Sequence, residues 1–140
     1  MSYRIAASPD QVWAVLADPQ RYPDWVVGAR AVRGVDGDWP EPGARLHHRS
    51  GSGPLEVADH TEVVASEPAR RLELQANLRP VGRARVELVL RPDGDGTLVE
   101  MSEWARSPAF MRRAQPLVQP LFTIRNRETL RRLGRLAAAL

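Results

Sequence analysis

The chain has 140 residues, with 20 arginines, no lysine, 17 acidic residues and a formal net charge of +3. This length predicts a single domain, residues 1–140, that is large enough to bury a substantial core. The absence of cysteine excludes disulfides and thiolate chemistry, and the absence of lysine excludes Schiff-base catalysis. No apolar run reaches the about 18 residues of a membrane span, and no signal-peptide pattern opens the chain. We therefore expect a cytoplasmic protein with no integral membrane segment.

The N-terminal region predicts a short strand followed by two short helices. Residues 2–6 are the strand. Ser8 then provides an N-cap, Pro9 the first helical position and Gln11 the third, which is the pattern of a capping box. Asp18 and Pro19 end this first helix, and residues 19–25 predict a second short helical turn.

Residues 29–105 show the alternating pattern of β-strands, interrupted by residues typical of turns. Glycine, proline and aspartate separate six predicted strands, at residues 31–35, 44–49, 55–65, 71–78, 84–91 and 98–105. Short loops between them predict an antiparallel meander.

Agreement of the apolar faces across each hairpin predicts the register of the later strands. This register gives an inner face that consists of Leu72, Leu74, Ala76, Ala84, Val86, Leu88, Leu90, Val99 and Met101. Glu103 falls opposite Val86 on the same face, and a buried carboxylate needs a partner or a function.

The earlier hairpin is predicted with a two-residue turn, Gly51-Ser52. This turn pairs Leu46 with Val57 and His48 with Leu55, and it directs Asp59 and Thr61 to the inner face.

Residues 109–140 predict one long C-terminal helix, with a kink or a later start near Pro116 or Pro120. One face of it consists of Val118, Phe122, Asn126, Thr129, Leu133, Leu136, Ala137 and Leu140. Leu117, Leu121 and Ile124 lie on the other side. The front half is thus apolar nearly all round, and we expect the rest of the chain to cover it.

Charge is unevenly distributed along the sequence. From Ala105 onward there are eight arginines and one glutamate, a balance of +7. This excess indicates either an anionic contact surface or the solvated back of a helix, with Glu128 and Arg132 as an i,i+4 pair. No aromatic residues interleave with these arginines, so we predict no nucleic-acid binding.

Four segments of the chain resemble those of a known family. They are residues 5–13 (IAASPDQVW), residues 18–25, which contain Asp18-Pro19 and Tyr22-Pro23-Asp24-Trp25, residues 92–97 (PDGDGT), and the arginine-rich run within residues 125–133. The chain resembles the START-like superfamily (SRPBCC) of polyketide cyclases, dehydrases and lipid-transport proteins, which have the helix-grip fold of birch pollen allergens. The resemblance implies an α+β fold with a curved antiparallel sheet of about seven strands. It also implies two short helices after strand 1, a long C-terminal helix across the sheet and a deep apolar cavity between sheet and helix.

The residues themselves support such a cavity, because the inner face carries small and aliphatic side chains and the chain has two phenylalanines to fill the centre. The predicted ligand-binding residues are Trp25, Trp39, Asp59, Thr61, Leu74, Val86, Leu88, Met101, Phe122, Asn126 and Thr129. We expect residues 25–29, which include Gly28, to form the entrance.

Three functions remain open. The first is binding of an apolar or aromatic small molecule, such as a lipid, polyketide or isoprenoid-like compound. The second is a polyketide cyclase or dehydrase that uses His48 and Glu103 as acid and base. Aromatase/cyclase members of the superfamily orient their substrate with Arg, Ser, Tyr and Trp side chains, and no inward Arg or Tyr is predicted on the central strands. The third is an interaction module formed by the arginine-rich helix.

No metal or other cofactor is predicted. His47 and His48 are neighbours on a strand and so point to opposite faces. The sequence has no Gly-x-Ser-x-Gly nucleophile motif and no glycine-rich phosphate loop. Monomer and homodimer are both compatible with the pattern.

Overall fold

The computed structural model describes residues 1–51, 54, 56–78, 82–107 and 113–140. The strands are β1 (Ser2–Ile5), β2 (Ala29–Asp36), β3 (Arg45–Ser50), β4 (Val57–Glu67), β5 (Arg71–Leu78), β6 (Gly82–Asp93) and β7 (Gly96–Ser107). The helices are α1 (Pro9–Leu16), α2 (Tyr22–Trp25) and α3 (Gln115–Ala138), with a 3-10 turn at Pro19–Arg21 before α2. The predicted α+β helix-grip architecture is confirmed.

The capping box predicted for α1 is present. The Ser8 hydroxyl accepts from the Gln11 amide at 3.2 Å, and the Gln11 side-chain oxygen accepts from the Ser8 amide at 2.9 Å. Two amide groups at the helix start are thereby satisfied, which fixes where α1 begins.

The seven strands form one sheet in the order β1-β7-β6-β5-β4-β3-β2, and all neighbours are antiparallel. Register shifts interrupt the β2–β3, β4–β5 and β6–β7 ladders. Such bulges bend the strand that contains them, and here they help the sheet to curve around the core.

The predicted register of the later hairpins is confirmed. Leu88 pairs with Met101, Val86 pairs with Glu103, and Leu74 pairs with Val86. The inward residues are buried, apart from the half-buried Ala76, whereas the opposite face carries ion pairs such as Arg71 with Glu87 at 2.7 Å. One face of the sheet is therefore available to the core.

The predicted pairing of the β3–β4 hairpin is wrong. Leu46 pairs with Thr61 and His48 with Asp59, because the strands end at Ser50 and begin at Val57 instead of enclosing a two-residue turn. Leu55, the predicted partner of His48, lies outside the described residues. The displacement is an even number of residues, so Asp59 and Thr61 still point inward.

Helix α3 begins at Gln115, near Pro116 as the alternative start predicts, and residues 109–112 of the longer prediction lie outside the described part of the chain. It contacts α1, α2, β1 and β7. Its buried side chains are Phe122, Asn126, Thr129, Leu130, Leu133 and Ala137. Among the described residues, no helix combines the length and apolarity needed to cross a membrane.

The expectation that the chain covers the whole front half of this helix is wrong. Leu117, Leu121 and Ile124 are 79%, 67% and 71% exposed, and Leu140 at the other end is 54% exposed. The sheet and the short helices cover one side of α3 only, so the opposite side of the helix faces solvent.

Candidate functional site

A cavity of about 180 Å3 lies between the concave face of the sheet, α2 and α3. Its floor consists of apolar side chains of the central strands, namely Leu74, Ala76, Val86 and Met101. The residues after α2, 26–29, form one wall, and the β3–β4 hairpin at Ser50 and Gly51 forms another. Helix α3 closes it with Arg125, Asn126 and Thr129.

One side of the cavity carries a chain of four hydrogen-bonding side chains, which we call the His48 chain: Ser50, His48, Thr61 and Tyr22. His48 Nδ1 lies 3.1 Å from Ser50 Oγ, and His48 Nε2 lies 3.0 Å from Thr61 Oγ1. Thr61 Oγ1 in turn lies 2.9 Å from the Tyr22 hydroxyl. The Tyr22 ring also stacks on the imidazole, with 5.2 Å between centroids.

Burial sets the protonation states in this chain. Burial raises the pKa of Tyr22 to about 12, although the Thr61 hydrogen bond and the charge of Arg125 oppose the rise. The phenol is therefore neutral at physiological pH and retains its hydrogen. Burial also lowers the pKa of His48 below its usual 6.5, so the imidazole is neutral there.

The His48 chain has two proton arrangements. With the proton on Nε2, His48 donates to Thr61 and Thr61 donates to Tyr22, which leaves the phenol hydrogen free for a ligand. With the proton on Nδ1, the Arg49 carbonyl at 3.4 Å accepts it, Thr61 donates to Nε2 and Tyr22 donates to Thr61. The His48 chain can therefore present either a hydrogen-bond donor or an acceptor to the cavity.

The other side of the cavity carries a charged cluster. The Arg125 guanidinium contacts both carboxylate oxygens of Glu103, and Asn126 Nδ2 donates to Glu103 Oε1 at 3.0 Å. The Glu103 side chain is 1% exposed, and that of Arg125 is 32% exposed. Arg125 also lies over the Phe122 ring, 5.4 Å from its centroid. The inward carboxylate thus has the partner that its burial requires.

Hydrogen bonds tie the predicted entrance to its surroundings. The Val27 amide donates to Thr129 Oγ1 at 3.2 Å, and the Gly51 amide donates to the Gly28 carbonyl at 3.0 Å. Gly28 has a φ of +96°, a conformation that favours glycine. These bonds join the segment after α2 both to α3 and to the β3–β4 hairpin.

Most of the predicted site residues meet in this cavity. Those in its lining are Trp25, His48, Asp59, Thr61, Leu74, Val86, Met101, Glu103, Asn126 and Thr129. Three others lie elsewhere. Trp39 donates its indole hydrogen to the Leu16 carbonyl at 3.1 Å and packs edge-on against Tyr22. Leu88 is fully buried in the core, and Phe122 lies under Arg125.

Sequence reasoning missed Tyr22, Ser50 and Arg125. The strand pattern has no bearing on Tyr22 and Arg125, because both reach the cavity from helices. One signal did exist for Arg125: an inward Glu103 requires a cation, and Arg125 precedes the inward Asn126 on α3.

The described histidines do not converge on a metal. His47 is on the outer face, with Nε2 2.7 Å from Asp36 Oδ2, and His60 Nδ1 lies 3.4 Å from Asn77 Nδ2. Within the described part of the chain, no three histidine, aspartate or glutamate side chains come together as a metal site would need.

A helix-grip fold around an apolar cavity with a few converging polar groups is the form of a small-molecule-binding domain. Residues 1–138 match the family described as polyketide cyclase/dehydrase and lipid transport, and the chain belongs to this family.

Solved structures share this fold over nearly the whole chain. The protein NE0264 from Nitrosomonas europaea is 18% identical with a TM-score of 0.75, over 99% of this chain and 92% of its own. Ara h 8.0201 is 10% identical with a TM-score of 0.72, over 100% and 96%. The di-domain aromatase/cyclase StfQ from the steffimycin biosynthetic pathway is 9% identical with a TM-score of 0.77, over 99% of this chain and 49% of its own. No functionally curated protein matches the chain.

Proposed function

We propose that this protein binds an apolar or aromatic small molecule, such as a lipid, polyketide or isoprenoid-like compound, in the cavity between the sheet and α3. The cavity itself is the observation that carries this proposal: about 180 Å3, with an apolar floor between the His48 chain and the Arg125–Glu103 pair. Drug-sized sites are about 300–1,000 Å3, so the ligand is small.

The two polar sides of the cavity define what the ligand carries. The His48 chain accepts or donates a hydrogen bond, and Arg125 lines the opposite side with a guanidinium. A suitable ligand has an oxygen that hydrogen-bonds to the His48 chain or to Arg125, and an apolar body that packs on Leu74 and Val86. This arrangement fits hydroxylated or carbonyl-bearing rings better than a plain hydrocarbon.

Native mass spectrometry of the purified protein and fluorescence titration with 2-naphthol test the proposal. We expect a co-purifying apolar molecule, saturable binding of 2-naphthol and weaker binding of naphthalene, which has no hydroxyl. Ala76→Leu fills the cavity floor and should abolish both signals. Gln75→Leu, one residue away on the outer face, is the matched control and should keep both. Failure of the wild-type protein to bind either probe would overturn the proposal.

A second candidate is a polyketide cyclase or dehydrase, and the composition of the lining favours it. Arg, Ser, Tyr and Trp are the side chains with which aromatase/cyclase members of the superfamily orient their substrate. Arg125, Ser50, Tyr22 and Trp25 all line this cavity, although none is on a central strand.

The chemistry of this candidate follows from the protonation states. Neutral His48, after exchanging its hydrogen bond to Ser50 or Thr61 for the substrate, removes a proton from a methylene carbon between two ketones. The resulting enolate attacks another carbonyl of the same polyketide. The new carbon–carbon bond leaves an alkoxide, which takes a proton from the Tyr22 hydroxyl or from imidazolium. Glu103, which accepts hydrogen bonds from Arg125 and Asn126, acts as a second base or holds Arg125 in place.

A short linear tri-β-keto ester tests this candidate, with the cyclised product followed by chromatography. His48→Gln should lower the protein-dependent rate by roughly 10²–10⁴-fold, the usual contribution of a general base, while 2-naphthol still binds. Glu103→Gln should likewise reduce turnover more than binding. Cyclisation that proceeds equally fast without the protein would leave binding as the sole function of the cavity.

A further inference from the structure

Three large aliphatic side chains stand out on the solvent side of α3. Leu117, Leu121 and Ile124 are 79%, 67% and 71% exposed, and their i, i+4, i+7 spacing places them in one row. We call this row the α3 ridge. Phe122 and Asn126, on the opposite side of the same helix, are buried, so the ridge faces away from the sheet.

Arginines surround the ridge. Arg113 precedes it, and Arg127, Arg131 and Arg135 follow it along the exposed side of the helix. Within the described residues, no ion pair involves Arg113, Arg127 or Arg135, whereas Glu128 is held by Arg131 and Arg132. The ridge is therefore an apolar strip between unneutralised guanidinium groups.

We propose that the α3 ridge docks on an anionic lipid surface. The two leucines and the isoleucine would insert at the boundary between headgroups and acyl chains, and the neighbouring arginines would contact lipid phosphates. An amphipathic helix with aliphatic residues on one strip and arginines beside it binds membranes in this way, lying in the plane of the interface. The proposal rests on the ridge and its charges and is independent of the cavity ligand.

Charge argues against a second copy of the chain as the occupant. Residues 113–140 contain six arginines and one glutamate, so two ridges facing each other would bring two strongly positive helices together. Like charges placed opposite each other in an interface disfavour it. An anionic bilayer supplies the missing negative charge.

The shape of the ridge favours lipid over an acidic protein. The row projects into solvent from the exposed side of a single helix. A folded partner needs a complementary groove to cover such a row, whereas a fluid interface closes around it.

Co-sedimentation with vesicles tests the proposal. We expect the wild-type protein to sediment with phosphatidylcholine vesicles in which about one third of the lipid is phosphatidylserine, and much less with pure phosphatidylcholine. The binding should weaken as salt rises, since salt screens the attraction.

Variants separate the apolar and the charged contributions. Leu121→Ser together with Ile124→Ser should lower the affinity for the anionic vesicles by about tenfold or more, because two buried aliphatic side chains are lost. Arg127→Gln should lower it about fivefold, the effect of one basic residue near such a surface. Val57→Ser is the matched control: Val57 is 38% exposed on β4, and its replacement should change nothing.

Three outcomes would overturn the proposal. The wild-type protein fails to sediment with the anionic vesicles, or the double serine variant sediments as well as the wild type. Alternatively, light scattering shows a dimer that the double variant dissociates, which makes the ridge an interface between copies. An unchanged melting temperature of each variant establishes that the fold is intact, as expected for substitutions of exposed residues.

Discussion

At the scale of single residues, Glu103 is the most informative. It is a carboxylate on an otherwise apolar sheet face, and its side chain is 1% exposed. It is tolerated there because Arg125 and Asn126 reach it from α3. The same contacts attach the helix to β7 beside the cavity, so one ion pair serves both packing and the site.

Removal of Arg125 tests this dependence. Arg125→Met should destabilise the fold by about 2 kcal/mol, because it leaves Glu103 buried without its counter-charge. Loss of one partner of a fully buried pair costs about 3–5 kcal/mol, and the partial exposure of Arg125 reduces that effect. Urea denaturation measures the change. The double variant with Glu103→Gln should recover much of the loss, and equal stabilities of Arg125→Met and the wild type would contradict the argument.

His48 makes stability depend on pH. Its pKa in the fold lies below the usual 6.5 because burial disfavours the imidazolium. As pH falls below about 6.5, the unfolded chain therefore takes up a proton at this position before the folded protein does. Stability should rise with pH through this window and fall towards acid.

The measurement is the melting temperature at pH 5 and at pH 7.5 for the wild type and for His48→Gln, which cannot titrate. The variant should show a smaller decrease at the acid pH. A decrease of the same size in both proteins would mean that His48 does not account for the pH dependence.

At the scale of elements, the face of the sheet that each strand residue occupies could be predicted more reliably than its cross-strand partner. The β3–β4 register was displaced by four residues, because the sequence does not reveal how many residues after Gly51 leave the ladder. Yet His48, Asp59 and Thr61 still face the core, since an even displacement preserves the face. Inward candidates on strands could therefore be predicted, whereas their cross-strand partners could not.

Helix α3 shows the opposite limit. Its buried side was readable from the period of 3.6 residues, and Phe122, Asn126, Thr129 and Leu133 are buried there. The exposure of the ridge could not be predicted from the sequence. Apolar side chains suggest burial, but they do not show whether the rest of the fold packs against them. Arg125 was missed because the helical period places it beside the predicted buried face and not on it. Tyr22 was missed because the four-residue helix α2 is too short to show a period.

Phe122 and Ile124 test the two sides of this helix against each other. Phe122 is 7% exposed, and Phe122→Ala should destabilise the fold by about 3 kcal/mol through lost burial and the space left behind. Ile124→Ala, two residues away on the exposed side, should change stability by less than about 0.5 kcal/mol. Urea denaturation of both variants gives the comparison, and similar losses would mean that the helix faces are misassigned.

At the scale of the whole molecule, the cavity is a source of instability that the fold retains. An empty space of about 180 Å3 between sheet and helix forgoes packing that larger side chains would provide. A cavity that this fold leaves unfilled is consistent with a use other than stability, which is the general argument for a ligand.

The last prediction sets stability against binding in one variant. Ala76→Leu extends from the cavity floor into empty space, so the ligand-free protein should gain about 1–2 kcal/mol, as cavity-filling substitutions commonly do. The same side chain occupies the position of the ligand. Saturating 2-naphthol should therefore raise the melting temperature of the wild type, because it binds only the folded state, but should leave the variant unchanged. Thermal unfolding with and without 2-naphthol measures both effects. A variant that is less stable than the wild type, or that still responds to 2-naphthol, would mean that Ala76 does not border the binding space.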